Sequence, residues 1–132
     1  MSGMPFVVGA YASMPTDAQE QEEYYGLLGE QNWISGAELP FPGGLADLGM
    51  LKKLSYMLPD HWTHNTVTAI PGTMKWMWAD PAVGLASRDA DGRAAALEFI
   101  RGIRDAVDRL AQLKGENTVS YIELHSAPAA DA

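Results

Sequence analysis

The sequence predicts an α/β protein built on a parallel sheet, with elements in the order β-α-β-α-β-α-β. Three observations carry this prediction. Short apolar or β-branched runs recur along the chain, each bounded by proline, glycine or polar turn residues. Between them lie longer stretches whose apolar residues repeat at three- and four-residue spacing. No Pro/Ser-rich linker divides the 132 residues, a length that suits one ordinary domain.

The first strand is expected near 6–13, in FVVGAYAS, where Gly9 suggests a crowded wall or the close approach of another backbone. Thr16 or Asp17 then caps a helix to Gln31, with Tyr24, Leu27 and Leu28 as its apolar stripe and its acids on a solvated face. The second strand is read near 34–41, in ISGAELPF, with Ala37 and Leu39 on one side and Gly36 and Glu38 on the other. After the Pro42–Gly44 loop, a helix over about Leu45 to Leu58 buries Leu48, Leu51, Leu54, Tyr56 and Met57.

The third strand is placed near 65–71, in NTVTAIP, and runs into a Gly72-Thr73 turn whose free amides suit an anion. The following Trp/Met cluster, with Trp76 and Trp78, suits either a pocket wall or a short helix over the sheet rim. Ser87 or Asp89 caps the clearest helix, whose stripe of Leu97, Ile100, Ile103, Val107 and Leu110 ends at Lys114-Gly115. The fourth strand is read near 118–126, and the tail SAPAADA as frayed.

In parallel α/β folds, sites collect at the carboxyl ends of the strands. Those ends here carry Tyr11, Glu38, Thr68, and Glu123 with His125. Alternation puts Tyr121, Glu123 and His125 on one face and Ile122 and Leu124 on the other. An acid and an imidazole two residues apart on one face can converge on a ligand or a metal; the plain alternative is a strand end opening into water. His61 and His64 lie three apart on a loop and carry little weight. There is no GxGxxG, no GxxxxGK[ST] and no GxSxG, which disfavours nucleotide binding and a nucleophile elbow. Carboxylate, imidazole and hydroxyl groups at strand ends suit general acid–base or metal-assisted work on a polyhydroxylated ligand.

Composition narrows the classes. A net charge of −8 repels phosphate backbones and argues against a nucleic-acid partner. The chain has no cysteine, so disulfides and thiolate metal sites are excluded. The N-terminal stretch lacks the cationic and long apolar regions of a signal peptide, and no apolar run is long enough to span a membrane, so a cytoplasmic protein is expected.

VVGAYAS, GAELPF, AIPGTM, the GRAAALEFIRGIRDAVDRL helix and IELHSAP together resemble the N-terminal half of the xylose-isomerase-like TIM barrels, and within them a bacterial family of unknown function. The resemblance covers nearly the whole chain. It implies the first half of a (β/α)8 barrel, with a complete small four-stranded flavodoxin-like sheet as the alternative fold. It also implies sugar isomerase or epimerase chemistry, a proton transfer next to a carbonyl assisted by a divalent metal (Mn, Mg, Co or Zn). Glu123 would be a metal ligand or base, His125 a ligand or hydrogen-bond donor, and Glu38, with Tyr11, Thr68 and Trp76, a binder of the carbohydrate. A complete barrel takes eight strands over roughly 250 residues, so most of the metal shell is expected from elsewhere. The competing expectation is a non-catalytic half-barrel that pairs with a second copy or with a separate C-terminal half.

Overall fold

The computed structural model describes residues 3–116 and 118–128. Four strands, β1 (Val7–Val8), β2 (Gly36–Pro40), β3 (Asn65–Thr68) and β4 (Val119–Glu123), form one sheet in the order β1-β2-β3-β4, and every pairing is parallel. The helices are α1 (Ala18–Gly29), α2 (Leu48–Met57), α3 (Ile70–Ala79) and α4 (Ala90–Lys114). The predicted α/β class and parallel order are therefore those observed. The part of the tail from residue 129 onward lies outside the described residues.

Register defines the two faces of the sheet. Glu38, Thr66 and Tyr121 lie side by side, as do Pro40, Thr68 and Glu123, and Leu39, Val67 and Ile122 form the row between them. Ala37, Leu39 and Val67 are buried with Leu51, Leu54, Ile103 and Leu110 of α2 and α4, so the helices cover this face. Parallel strands joined in sequence order by right-handed crossovers send every helix to the same side. The opposite face, carrying Glu38, Thr66, Tyr121 and Glu123, has no helix layer among the described residues.

Asn65 ties the amino ends of the strands together. Its Oδ1 accepts from the Ala37 amide at 3.0 Å, and its Nδ2 donates to the carbonyls of Thr118 at 2.9 Å and Trp62 at 3.4 Å. Neighbouring Gly36 leaves no room for a side chain, because an added Cβ would lie 2.6 Å from the Asn65 nitrogen. The crowded glycine of the sheet is thus Gly36 and not Gly9, whose nearest neighbour would be Glu38 Oε1 at 3.9 Å.

The helix caps follow the sequence. Asp17 and Asp89 accept from the Glu20 and Gly92 amides at the starts of α1 and α4, and Gly115 ends α4 with a positive φ. Several expected boundaries and faces are corrected. The first strand does not run to residue 13: the chain turns at Gly9 into a 3-10 turn over Ala10–Ser13, with the Ala12 amide bonded to the Gly9 carbonyl. The third strand stops at Thr68 and not at Pro71, because Pro71 opens α3, where a missing N–H costs nothing. Gly72 and Thr73 accordingly belong to the first turn of α3, and the Thr73 amide already serves the Ala69 carbonyl.

On α1 the fully buried residue is Tyr25, while Leu27 faces solvent; on α2, Leu48 and Tyr56 are exposed and Leu51 and Leu54 are buried, as is Leu58 just after the helix. On α4, Leu97 is exposed and Ile103, Ala106 and Leu110 form the buried stripe.

Candidate functional site

At the carboxyl ends of β3 and β4, Thr68 Oγ1 donates to Glu123 Oε1 at 2.9 Å, and the same Thr68 oxygen accepts from the Ile70 amide at 3.3 Å. Register and chemistry cooperate here. Thr68 and Glu123 are paired in the ladder, and the helix that starts at Ile70 supplies the donor fixing the hydroxyl. One carboxylate oxygen is therefore held, and the side chain remains exposed at the open face. Glu38 lies on the same face, beside Thr66, with its Oε1 above Gly9.

His125 is held differently. The β4 ladder stops at Glu123, so alternation no longer governs the two residues that follow. The segment after β4 is strapped to the α3–α4 connection: the Ala86 amide donates to the Ser126 and Ala127 carbonyls, both at 3.0 Å, and Ala127 is buried. This strap requires Gly84, where an added Cβ would sit 1.9 Å from the Ala127 carbonyl oxygen. His125 then borders a small cavity of about 20 Å³ with Thr73, Trp76, Leu85 and Phe99.

The His125 Nδ1 accepts from the Ala127 amide at 3.1 Å. A neutral imidazole that accepts at Nδ1 carries its proton on Nε2. Metal-bound histidines have the opposite arrangement, with one nitrogen on the metal and the other donating its N–H. In this setting His125 is a hydrogen-bond donor through Nε2, and metal ligation through Nε2 would cost the Ala127 bond.

The expected site residues thus fall into groups. Thr68 and Glu123 are brought together, Trp76 and His125 share one cavity, and Glu38 sits two register rows below Glu123 on the same face. Tyr11 lies apart, in the 3-10 turn after β1, where it lines a groove between α1 and α2. Among the described residues, no group of three or more His, Asp or Glu side chains is placed to hold a metal ion. Glu123 offers one carboxylate and His125 an engaged ring, so these residues by themselves do not fit a divalent metal.

Two features were missed by sequence reasoning. Asn65 reads as a mere strand start, although a residue type depleted in strands heading a β-branched run was a signal. Tyr25, on the floor of the α1–α2 groove, is buried enough for its phenol to be pushed up to about 12, mainly by loss of solvent and then by Tyr24 beside it.

Among the described residues, no helix is long and apolar enough to cross a membrane. No solved structure matches the chain. An uncharacterized protein of Salmonella typhimurium is 32% identical over 131 residues, which is 95% of this chain and 41% of that relative. The chain thus spans about two fifths of the length of the curated relative it matches. The model of a domain of unknown function, DUF4862, matches residues 7–132, and the chain belongs to that family.

Proposed function

We propose that the chain forms the first four strand–helix units of a (β/α)8 barrel of the xylose-isomerase-like kind, which isomerises or epimerises a sugar. The observation that carries this reading is the strand order. Four parallel strands run in sequence order with one face covered by helices and the other open. A flavodoxin-like sheet reverses its order at a switch point, as 2-1-3-4-5; nothing here reverses. The open face would be the barrel interior, and its carboxyl end carries Glu38, Thr68 and Glu123.

Proton transfer next to a carbonyl needs a base that keeps an accessible lone pair. Glu123 meets that need, since Thr68 orients one oxygen and leaves the other free. Glu38 would accept from sugar hydroxyls, His125 would donate through Nε2, and Trp76 beside it would offer a ring face. A divalent metal, when bound, polarises carbonyl and hydroxyl oxygens, but its ligands would have to come largely from other strands. A net charge of −8 continues to argue against nucleic acid, and a cytoplasmic setting suits a chain with no cysteine.

A second reading is favoured by the lack of a metal-binding trio among the described residues. On that reading the 132 residues alone are a non-catalytic half that needs a second copy or a C-terminal half to close the barrel. One experiment addresses both. Aldoses and ketoses are incubated in D2O with Mn, Mg, Co or Zn, and deuterium uptake next to the carbonyl is followed by NMR. The protein is this chain, alone and fused to the part of the Salmonella relative that the chain does not match. The fusion is expected to exchange and the chain alone not to, with Glu123→Gln slowing exchange by about 10²–10⁴-fold. Exchange unaffected by Glu123→Gln would remove Glu123 as the base, and no exchange by the fusion with any sugar would remove the isomerase reading.

A further inference from the structure

A large concavity lies in the groove between α1 and α2, about 1060 Å³, with Leu39, Leu45 and Leu54 on its floor and walls. That volume is at the upper end of ordinary small-ligand sites, which are mostly apolar with a few placed polar groups.

The polar groups here are unusual for so acidic a chain. Lys52 and Lys53 both line the groove, and neither forms an ion pair among the described residues; the acid on the lining is Glu22. Lysine stems lie readily along apolar surface while the ammonium reaches outward. Tyr25 is only 5% exposed, and its ring is held edge-on by Trp62 at 6.2 Å. Its hydroxyl has no hydrogen-bond partner among the described residues, yet it is not among the fully enclosed polar atoms, so it opens on the groove. A phenol that opens on a groove without a protein acceptor has its O–H free to donate to a molecule bound there. Burial raises this phenol to about 12, so it stays an O–H donor at any ordinary pH.

We infer that the α1–α2 groove binds a small amphiphilic carboxylate. Its apolar body lies on Leu39, Leu45 and Leu54, and its head group takes the Tyr25 hydroxyl and a lysine ammonium. An apolar ligand without charge would leave Tyr25 and both lysines unused. A cation would meet two lysines against one glutamate. This site is independent of the sheet's open face and of any sugar chemistry there.

The test uses sodium octanoate below its micelle concentration, with 1-octanol as the uncharged probe, on the ¹⁵N-labelled chain. Octanoate should give saturable amide shifts centred on Tyr25, Leu39, Lys53 and Leu54, and octanol should bind at least about tenfold more weakly. Tyr25→Phe keeps the ring and its packing, and Lys52→Gln with Lys53→Gln keeps the stems. Each variant should retain the native spectrum and lose about tenfold in octanoate affinity. Equal binding of octanol, or undiminished binding by both variants, would reduce the groove to non-specific apolar surface and overturn the inference. So would octanoate shifts located elsewhere, or groove shifts that grow with protein concentration without octanoate, which would mark a contact between copies.

Discussion

The middle of the sheet and its β4 edge are built from similar residues and held in opposite ways. Val67 and Ile122 are register partners on the same face, yet Val67 is 0% exposed and Ile122 is 42% exposed. The difference is in what lies above them. α2 and α4 cover the β2–β3 row, whereas the described residues contain no helix beyond β4. Similarly, the amino ends of the strands are laced by Asn65, while the carboxyl ends carry exposed Glu123 and the open face exposes Tyr121 at 59%. The sheet is anchored at one end and along its centre; the other end and edge are left accessible. That is the division of labour expected of a scaffold that carries chemistry at its strand ends.

The largest break in this arrangement is Asn65→Ala. It leaves the Ala37 amide and the Thr118 carbonyl without their partner at buried residues and loosens β3 from its neighbours on both sides. A loss of about 3–4 kcal/mol is expected from urea unfolding, at the upper end of ordinary substitutions. A loss below about 1 kcal/mol would show that water replaces the lacing.

Truncating the register partners sharpens the contrast directly. Val67→Ala should cost about 2 kcal/mol and Ile122→Ala less than about 1 kcal/mol, since the cost scales with apolar area removed from a packed site. If the chain pairs through its β4 edge, Ile122→Ala would instead become the costlier change, and its effect would grow with protein concentration. Light scattering alongside the unfolding curves separates the two outcomes.

At the carboxyl ends the expected effect is smaller still. Thr68→Val removes the donor to Glu123 and the acceptor for the Ile70 amide, at about 1 kcal/mol. Thr68→Ser should restore most of it. Equal stability of the valine and serine variants would mean that neither bond matters to the fold.

How far the sequence foretold all this depended on whether local chemistry decided the outcome. Asp17, Asp89 and Gly115 mark helix ends because a side-chain oxygen or a left-handed residue there answers a local need. The parallel order was legible because four strand patterns alternated with helices. The extents of β1 and β3 were not, because Ala10–Ser13 and Ile70-Pro71 have strand-like composition yet form a 3-10 turn and the start of α3. Glu123 was legible as a strand-end acid, but its Thr68 partner is 55 residues away and only register reveals it. The setting of His125 depends on a strap whose key is Gly84, which no alternation rule reaches. Tyr25 was overlooked because its neighbour Tyr24 fitted the expected stripe equally well.

The smallest expected effect concerns the contact that fastens the end of α4 to the connection before β3. Lys114 Nζ donates to Asp60 Oδ1 at 2.8 Å and to the Ser55 carbonyl at 2.9 Å. The two partners differ in setting, with the Lys114 side chain 11% exposed and that of Asp60 98% exposed. The Lys114 hydrogen bond, then its charge, holds the Asp60 carboxyl below its ordinary 3.8. A carboxyl depressed in the folded state stabilises above its unfolded value, and that contribution disappears as pH falls through the folded value. The difference in stability between the native chain and Asp60→Asn should therefore be flat from neutral pH down to about 5, then shrink and vanish in stronger acid. It should also shrink with added salt, because the aspartate is fully in solvent. Lys114→Met should cost more than Asp60→Asn, since it also strips the Ser55 carbonyl of a donor that is itself shielded from water. The reverse order, or a difference that does not shrink as the pH falls, would show that this end of α4 is held by packing and not by the ion pair.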